Sequence, residues 1–189
     1  MHSSSNLYLM TDVVPFDNPF VVKRLSGHML LRSLENSVSD ARTDGRFLQL
    51  SGLAIVTDFR LPEGSRILSA TMVSNNHADS DPYKGPIRMD TFYTVAMSSF
   101  IADGFDGYTL FQTEPTIVNV ESAMTDTSLM LQIFKGNNHH HNEIDKNNDE
   151  TGIAIDRARA TVLVGSHDGL PMIQPQVQGR ISTTVHSIV

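Results

Sequence analysis

Residues 20–39 read FVVKRLSGHMLLRSLENSVS. The first six, FVVKRL, are apolar and β-branched enough to predict a strand. Ser26 stands where a helix N-cap belongs. Leu30, Leu34 and Val38 then recur at helical spacing beside Met29 and Leu31, which predicts a helix over 27–39. Asp44-Gly45 breaks the chain.

Working outward, residues 53–59 predict a strand, Leu61-Pro62-Glu63-Gly64 a turn, and residues 66–73 the returning strand of a hairpin. Residues 75–86, rich in Asn, Asp, Pro and Gly, predict a loop. TFYTVAM at 91–97 predicts another strand. FIADGFDGY at 100–108 predicts a tight loop, because Gly104 and Gly107 permit positive φ. A short strand is expected at 117–120, and a helix capped by Thr125 or Asp126 running to about Lys135. GNNHHHNEIDKNNDET at 136–151 reads as a low-complexity surface loop. Residues 154–165 admit helix-then-strand or one strand, and VQGRI at 177–181 ends in a terminal strand.

Composition narrows the function classes. The 189 residues are 40% hydrophobic and 19% charged, which fits a globular chain and excludes global disorder. Cysteine is absent, which excludes a disulfide framework, thiol catalysis and cysteine-held metals. Lys+Arg 14 against Asp+Glu 21 leaves net charge −7, so the basic footprint of a nucleic-acid polymer binder is missing. No apolar run approaches the ~20 residues of a membrane span. Residues 1–6 lack the basic start and apolar stretch of a secretory signal. They read as a disordered or vector-derived tail ahead of one domain at 7–189, with an inserted flexible loop at about 136–152.

Four segments, in order, resemble the C-terminal domain of the 5'-nucleotidase, UDP-sugar hydrolase and 2',3'-cyclic phosphodiesterase family. They are FDNPFVVKRLSGHMLLRSLENSVS at 16–39, GRFLQLSGLAIVTD with PEGSRI at 45–58 and 62–67, TFYTVAMSSFIADGFDGY at 91–108, and VQGRI at 177–181. The fold that this resemblance implies is α+β, with mixed sheets and packed helices. It implies a substrate-binding domain for a nucleotide or nucleoside, partnered by an N-terminal metallophosphatase domain that carries two divalent metal ions. That domain's "D-x-H" and "G-N-H-D/E" motifs are missing from the 189 residues, so the chain looks like the substrate-binding half alone, inactive by itself and without a metal or cofactor of its own. Dimer contact through this domain, and a secreted, periplasmic or cell-surface setting, are further implications of the resemblance.

By position, Phe47 and Phe100 match the two rings that sandwich a nucleobase, and Asp106 the carboxylate that accepts from the ribose hydroxyls. Gly104 and Gly107 are expected to let the backbone approach the ligand. The chemistry is coherent in itself. Two phenyl faces clamp any base, at about 1–3 kcal/mol per stacked face. One carboxylate accepts both donors of a vicinal diol. Two residues depart from the pattern: Phe105 stands where a second glycine is usual, and Asp103 where asparagine is frequent.

Other clusters have plainer readings. Gly165-Ser166-His167-Asp168-Gly169 mimics a metal motif but reads better as a turn, since Ser166 replaces the asparagine. His139, His140 and His141 read as solvated low-complexity sequence. Asp145, Asn147 and Asp149 lack the glycine and glutamate of a calcium loop. The rival to a nucleotide-binding role is a non-catalytic binding or dimerisation module that kept the fold. A third reading keeps the enzyme and changes the substrate to a nucleotide sugar, cyclic nucleotide or polyphosphate.

Overall fold

The computed structural model describes residues 12, 14–40, 44–73, 84–134, 150–168, 170–174 and 176–184. Most of the low-complexity stretch, including His139, His140 and His141, lies outside them. The contacts divide the chain into two compact units, Met1–Pro19 with Met124–Val177, and Phe20–Ala123 with Gln178–Val189. The architecture is α+β, as expected from the sequence.

In the larger unit β1 (Phe20–Ser26) is the centre of a three-stranded sheet, flanked by β5 (Phe92–Ser98) and β6 (Thr116–Val118), both antiparallel to it. Alternation puts Val21, Lys23 and Leu25 on the buried face. The Lys23 ammonium is satisfied there by the carbonyls of Phe111 and Glu114, at 2.8 and 3.1 Å. Ser26 then caps α1 (Gly27–Ser37), its Oγ accepting from the Met29 N–H at 3.3 Å.

Helix α1 joins two cores. Leu30 packs with Val21, Leu25, Tyr93, Met97 and Tyr108, whereas Leu34 and Val38 pack with Leu53, Ile55 and Ala70. That second core lies on a four-stranded sheet made of β2 (Leu53–Thr57), β3 (Ile67–Met72), β4 (Gly85–Pro86) and β9 (Ile181–Thr183), in the order β4-β3-β2-β9. The β2–β3 hairpin has the expected pairing, and β9 joins β2 in parallel. Polar ties lock helix to sheet. The Glu35 carboxylate accepts from the Arg66 and Ile67 N–H groups at 2.9 and 2.8 Å, and the Arg66 guanidinium donates to the carbonyls of Val38 and Ser39 beyond the helix end.

In the smaller unit, α3 (Asp126–Phe134) is capped by Thr125, whose Oγ1 accepts from the Ser128 N–H at 3.1 Å. Helix α4 (Glu150–Val162) is followed by the antiparallel pair β7 (Leu163–His167) and β8 (Leu170–Ile173). Residues 154–165 are therefore helix-then-strand. Arg159 ties the two helices by donating to the carbonyls of Ile133 and Gln132, at 3.0 and 2.7 Å.

Two sequence expectations shift. The segment at 100–108 is not a plain loop. Ser98 caps one helical turn, α2 (Ser99–Ala102), and 3-10 turns follow at Phe105–Gly107 and Thr109–Phe111. Gly85-Pro86, expected in a loop, adds a short edge strand to β3. The terminal strand expected at the end of VQGRI begins at Ile181. Val177 is fully exposed, and pairing starts only where the Arg180 carbonyl takes the Ile55 N–H at 2.7 Å. Among the described residues no helix is long and apolar enough to cross a membrane.

Candidate functional site

The last turn of α1 gathers the segments that carry the expected site residues. Ser37 Oγ accepts from the Leu48 N–H at 2.9 Å, and Arg46 Nη1 donates to Ser39 Oγ at 3.0 Å, so residues 44–48 lie against the helix end. In the same turn, Asn36 Nδ2 donates to the Asp106 carbonyl at 3.0 Å. Tyr108 completes the junction by donating its hydroxyl to the Arg46 carbonyl at 2.6 Å. Burial pushes this phenol up to about 12, and the nearby Asp106 charge acts in the same direction.

Asp106 is exposed, and its backbone is left-handed at φ 53, ψ 32. Its carboxylate reaches the other segment, since a β-carbon at Gly45 would stand 3.1 Å from Asp106 Oδ2. Phe47 follows two residues later, half-buried and packed against the Leu34–Ile55 core. Sequence positions 47 and 106 are thus brought to one junction.

Phe100 extends from α2 and is 40% exposed. The ring stacked on it is Phe105, with centroids 4.7 Å apart and planes 16° from parallel. The glycines have reasons within the chain. A β-carbon at Gly104 would meet Gln112 Nε2 at 2.7 Å, and one at Gly107 would meet Asn36 Oδ1 at 2.7 Å. Both also have positive φ, +92 and +83. They let the loop close on Gln112 and Asn36, which presents Asp106 and the two rings.

A cleft of about 600 Å³ adjoins this junction through Asn36 and Ser39, with His28, Arg32 and Glu63 among its other walls. None of Phe47, Phe100 and Asp106 lines it. Asp106 and Phe100 are exposed outside it, and Phe47 packs against the Leu34–Ile55 core. His167 lies on the β7–β8 hairpin with its Nδ1 3.3 Å from Asp168 Oδ2. Among the described residues no three His, Cys, Asp or Glu side chains are grouped to hold a metal ion.

Sequence reasoning overlooked Asn36, Gly45 and the Tyr108–Arg46 bond. The helical spacing of the apolar residues fixes Asn36 near the helix end, but its partner lies 70 residues away. No local pattern marks such a pairing.

Residues 6–113 match the family described as 5'-nucleotidase, C-terminal domain. The protein 5NUC of Lutzomyia longipalpis is 36% identical over 106 residues, which are 54% of this chain and 18% of that protein. The snake venom 5'-nucleotidase of Macrovipera lebetinus is 30% identical over 127 residues, 67% of this chain and 30% of that one. The crystal structure of the 5'-nucleotidase precursor from Thermus thermophilus superposes with a TM-score of 0.63 at 24% identity, over 94% of this chain and 27% of that chain. The chain therefore spans less than a third of the length of these relatives. The fold, the matched segment and these likenesses agree: the chain belongs to the 5'-nucleotidase family, through that family's C-terminal domain.

Proposed function

We propose that this chain binds the nucleoside part of a nucleotide, as the substrate-holding domain of a metal-dependent 5'-nucleotidase-like phosphoester hydrolase of nucleotide catabolism. The observation that carries the reading is the exposed Asp106 carboxylate, held against Gly45 by the junction that also brings in Phe47. A carboxylate accepts the two donors of a ribose diol, and Phe100, 40% exposed, supplies a phenyl ring on which a base can stack. Gly104 and Gly107 serve this site by letting the loop pack. The two divalent metals implied by the resemblance fit no group among the described residues and are assigned to a separate N-terminal metallophosphatase domain. No hydrolytic step is therefore assigned to this chain.

One observation favours a second reading. Phe105 already covers a face of Phe100, as expected of a binding or dimerisation module that kept the fold and lost its ligand. Calorimetric titration of the 189-residue chain with adenosine separates the two. The nucleoside reading expects saturable binding that weakens by about 5- to 150-fold in Phe100→Ala and in Phe47→Ala, the range for losing one stacked base face. Asp106→Asn is the matching test of the diol contact. Asparagine tolerates the left-handed backbone there, so the loop is kept while the charge is lost. Equal affinity in all three variants would reject the nucleoside site.

A further inference from the structure

We propose that Phe105 is a resident occupant of the stacking face of Phe100, and that a nucleobase must displace it, so that this side chain sets the affinity of the site. The proposal rests on the nucleoside reading of Phe100. The Phe100–Phe105 geometry, 4.7 Å and 16°, lies within the range of offset-stacked planar rings. Phe105 thus takes the place on Phe100 that a flat ligand needs. The backbone aims it there. Gly104 and Asp106, on either side of Phe105, are both left-handed, at φ 92 and 53.

The same backbone lets the ring leave without unfolding the loop. Gln112 holds the Asp103 carbonyl at 2.8 Å and Asn36 holds the Asp106 carbonyl at 3.0 Å, so both flanks of Phe105 are anchored. The residue is 55% exposed, which leaves room for the side chain to rotate about its own bonds. An aromatic pair of this kind is worth no more than about tenfold in an equilibrium constant. A stacked base contributes about 5- to 150-fold, a range that reaches well above that, so an aromatic ligand can displace the ring. A ligand with the diol but no aromatic base has nothing to gain from it.

The test uses the whole chain, with adenosine and ribose 5-phosphate as probes and circular dichroism as a check on folding. Phe105→Ala is expected to bind adenosine about 2- to 10-fold more tightly than the parent, with ribose 5-phosphate affinity unchanged. Phe105→Leu, which keeps apolar bulk without a flat face, is expected to fall between parent and Phe105→Ala. Unchanged or weaker adenosine binding in Phe105→Ala overturns the proposal, weaker binding showing that the ring is part of the platform. If Phe100→Ala loses adenosine in the same series, the nucleoside reading survives that outcome. Failure of the parent, Phe105→Ala and Phe105→Leu alike to bind adenosine overturns both.

Discussion

Replacing Gly107 by alanine strikes the contact that holds Asp106 in place. Two costs are legible in the structure. The backbone there has φ +83, and an L side chain in the left-handed region costs about 1–2 kcal/mol. The new β-carbon would also stand 2.7 Å from Asn36 Oδ1 and 3.3 Å from Nδ2, so the amide must swing away. That breaks its bond to the Asp106 carbonyl, worth a further ~0.5–1.5 kcal/mol. The sum for Gly107→Ala is about 1.5–3.5 kcal/mol. Asn36→Ala loses only the hydrogen bond, offset in part by alanine's better helix propensity. In the double variant the amide is already gone, and only the backbone strain is added. The two single losses should therefore exceed the double by about 0.5–1.5 kcal/mol, the hydrogen bond counted once instead of twice. Urea unfolding of the parent and the three variants measures this cycle. Additivity to within ~0.4 kcal/mol would refute the reasoning, because it would mean that Gly107 and Asn36 do not compete for one space.

Two more outcomes follow from packing and ionisation. Gly27→Ala would place a β-carbon 2.1 Å from the Arg88 carbonyl oxygen and 2.8 Å from its carbon, backbone that cannot rotate away, so a loss at or beyond the usual ~3 kcal/mol limit of overpacking is expected in the same unfolding assay; a parent-like midpoint would contradict the close approach of α1 to residue 88. Tyr108 should make the protein alkali-sensitive. Its phenol is raised from 10 to about 12 in the folded chain, so its contribution is complete below pH 10 and is lost as pH rises from 10 towards 12, where only the unfolded chain ionises. Tyr108→Phe should remove that part of the slope, read from unfolding at about pH 8 to 11, while lowering stability at neutral pH by about 1–3 kcal/mol through the unpaired Arg46 carbonyl.

The strand-helix pair at 20–39 was legible because its signals are local. A β-branched apolar run, a serine cap and a 3.6-residue apolar period are all local features, and β1 and α1 formed within two residues of the expected bounds. The β2–β3 hairpin was legible for the same reason. Less was visible where pairing is distant. Gly85-Pro86 looks like loop sequence and becomes an edge strand only because β3 has a free side. Ile181 becomes a strand because Ile55 lies beside it, 126 residues away in sequence.

The same division runs through the candidate site. Ordered motifs tied the chain to its family, and position within that resemblance singled out two phenylalanines, an acid and two glycines. Composition alone removed thiol chemistry and a basic nucleic-acid face. Which groups meet was a tertiary outcome. Asn36 binding the loop at Asp106, Tyr108 reaching Arg46, and Phe105 turning onto Phe100 all depend on how helix, strand and 3-10 turns close around shared cores. Local propensity is set by neighbours along the chain, whereas these contacts arise from burying two apolar clusters at once, and that condition is satisfied only by the folded molecule.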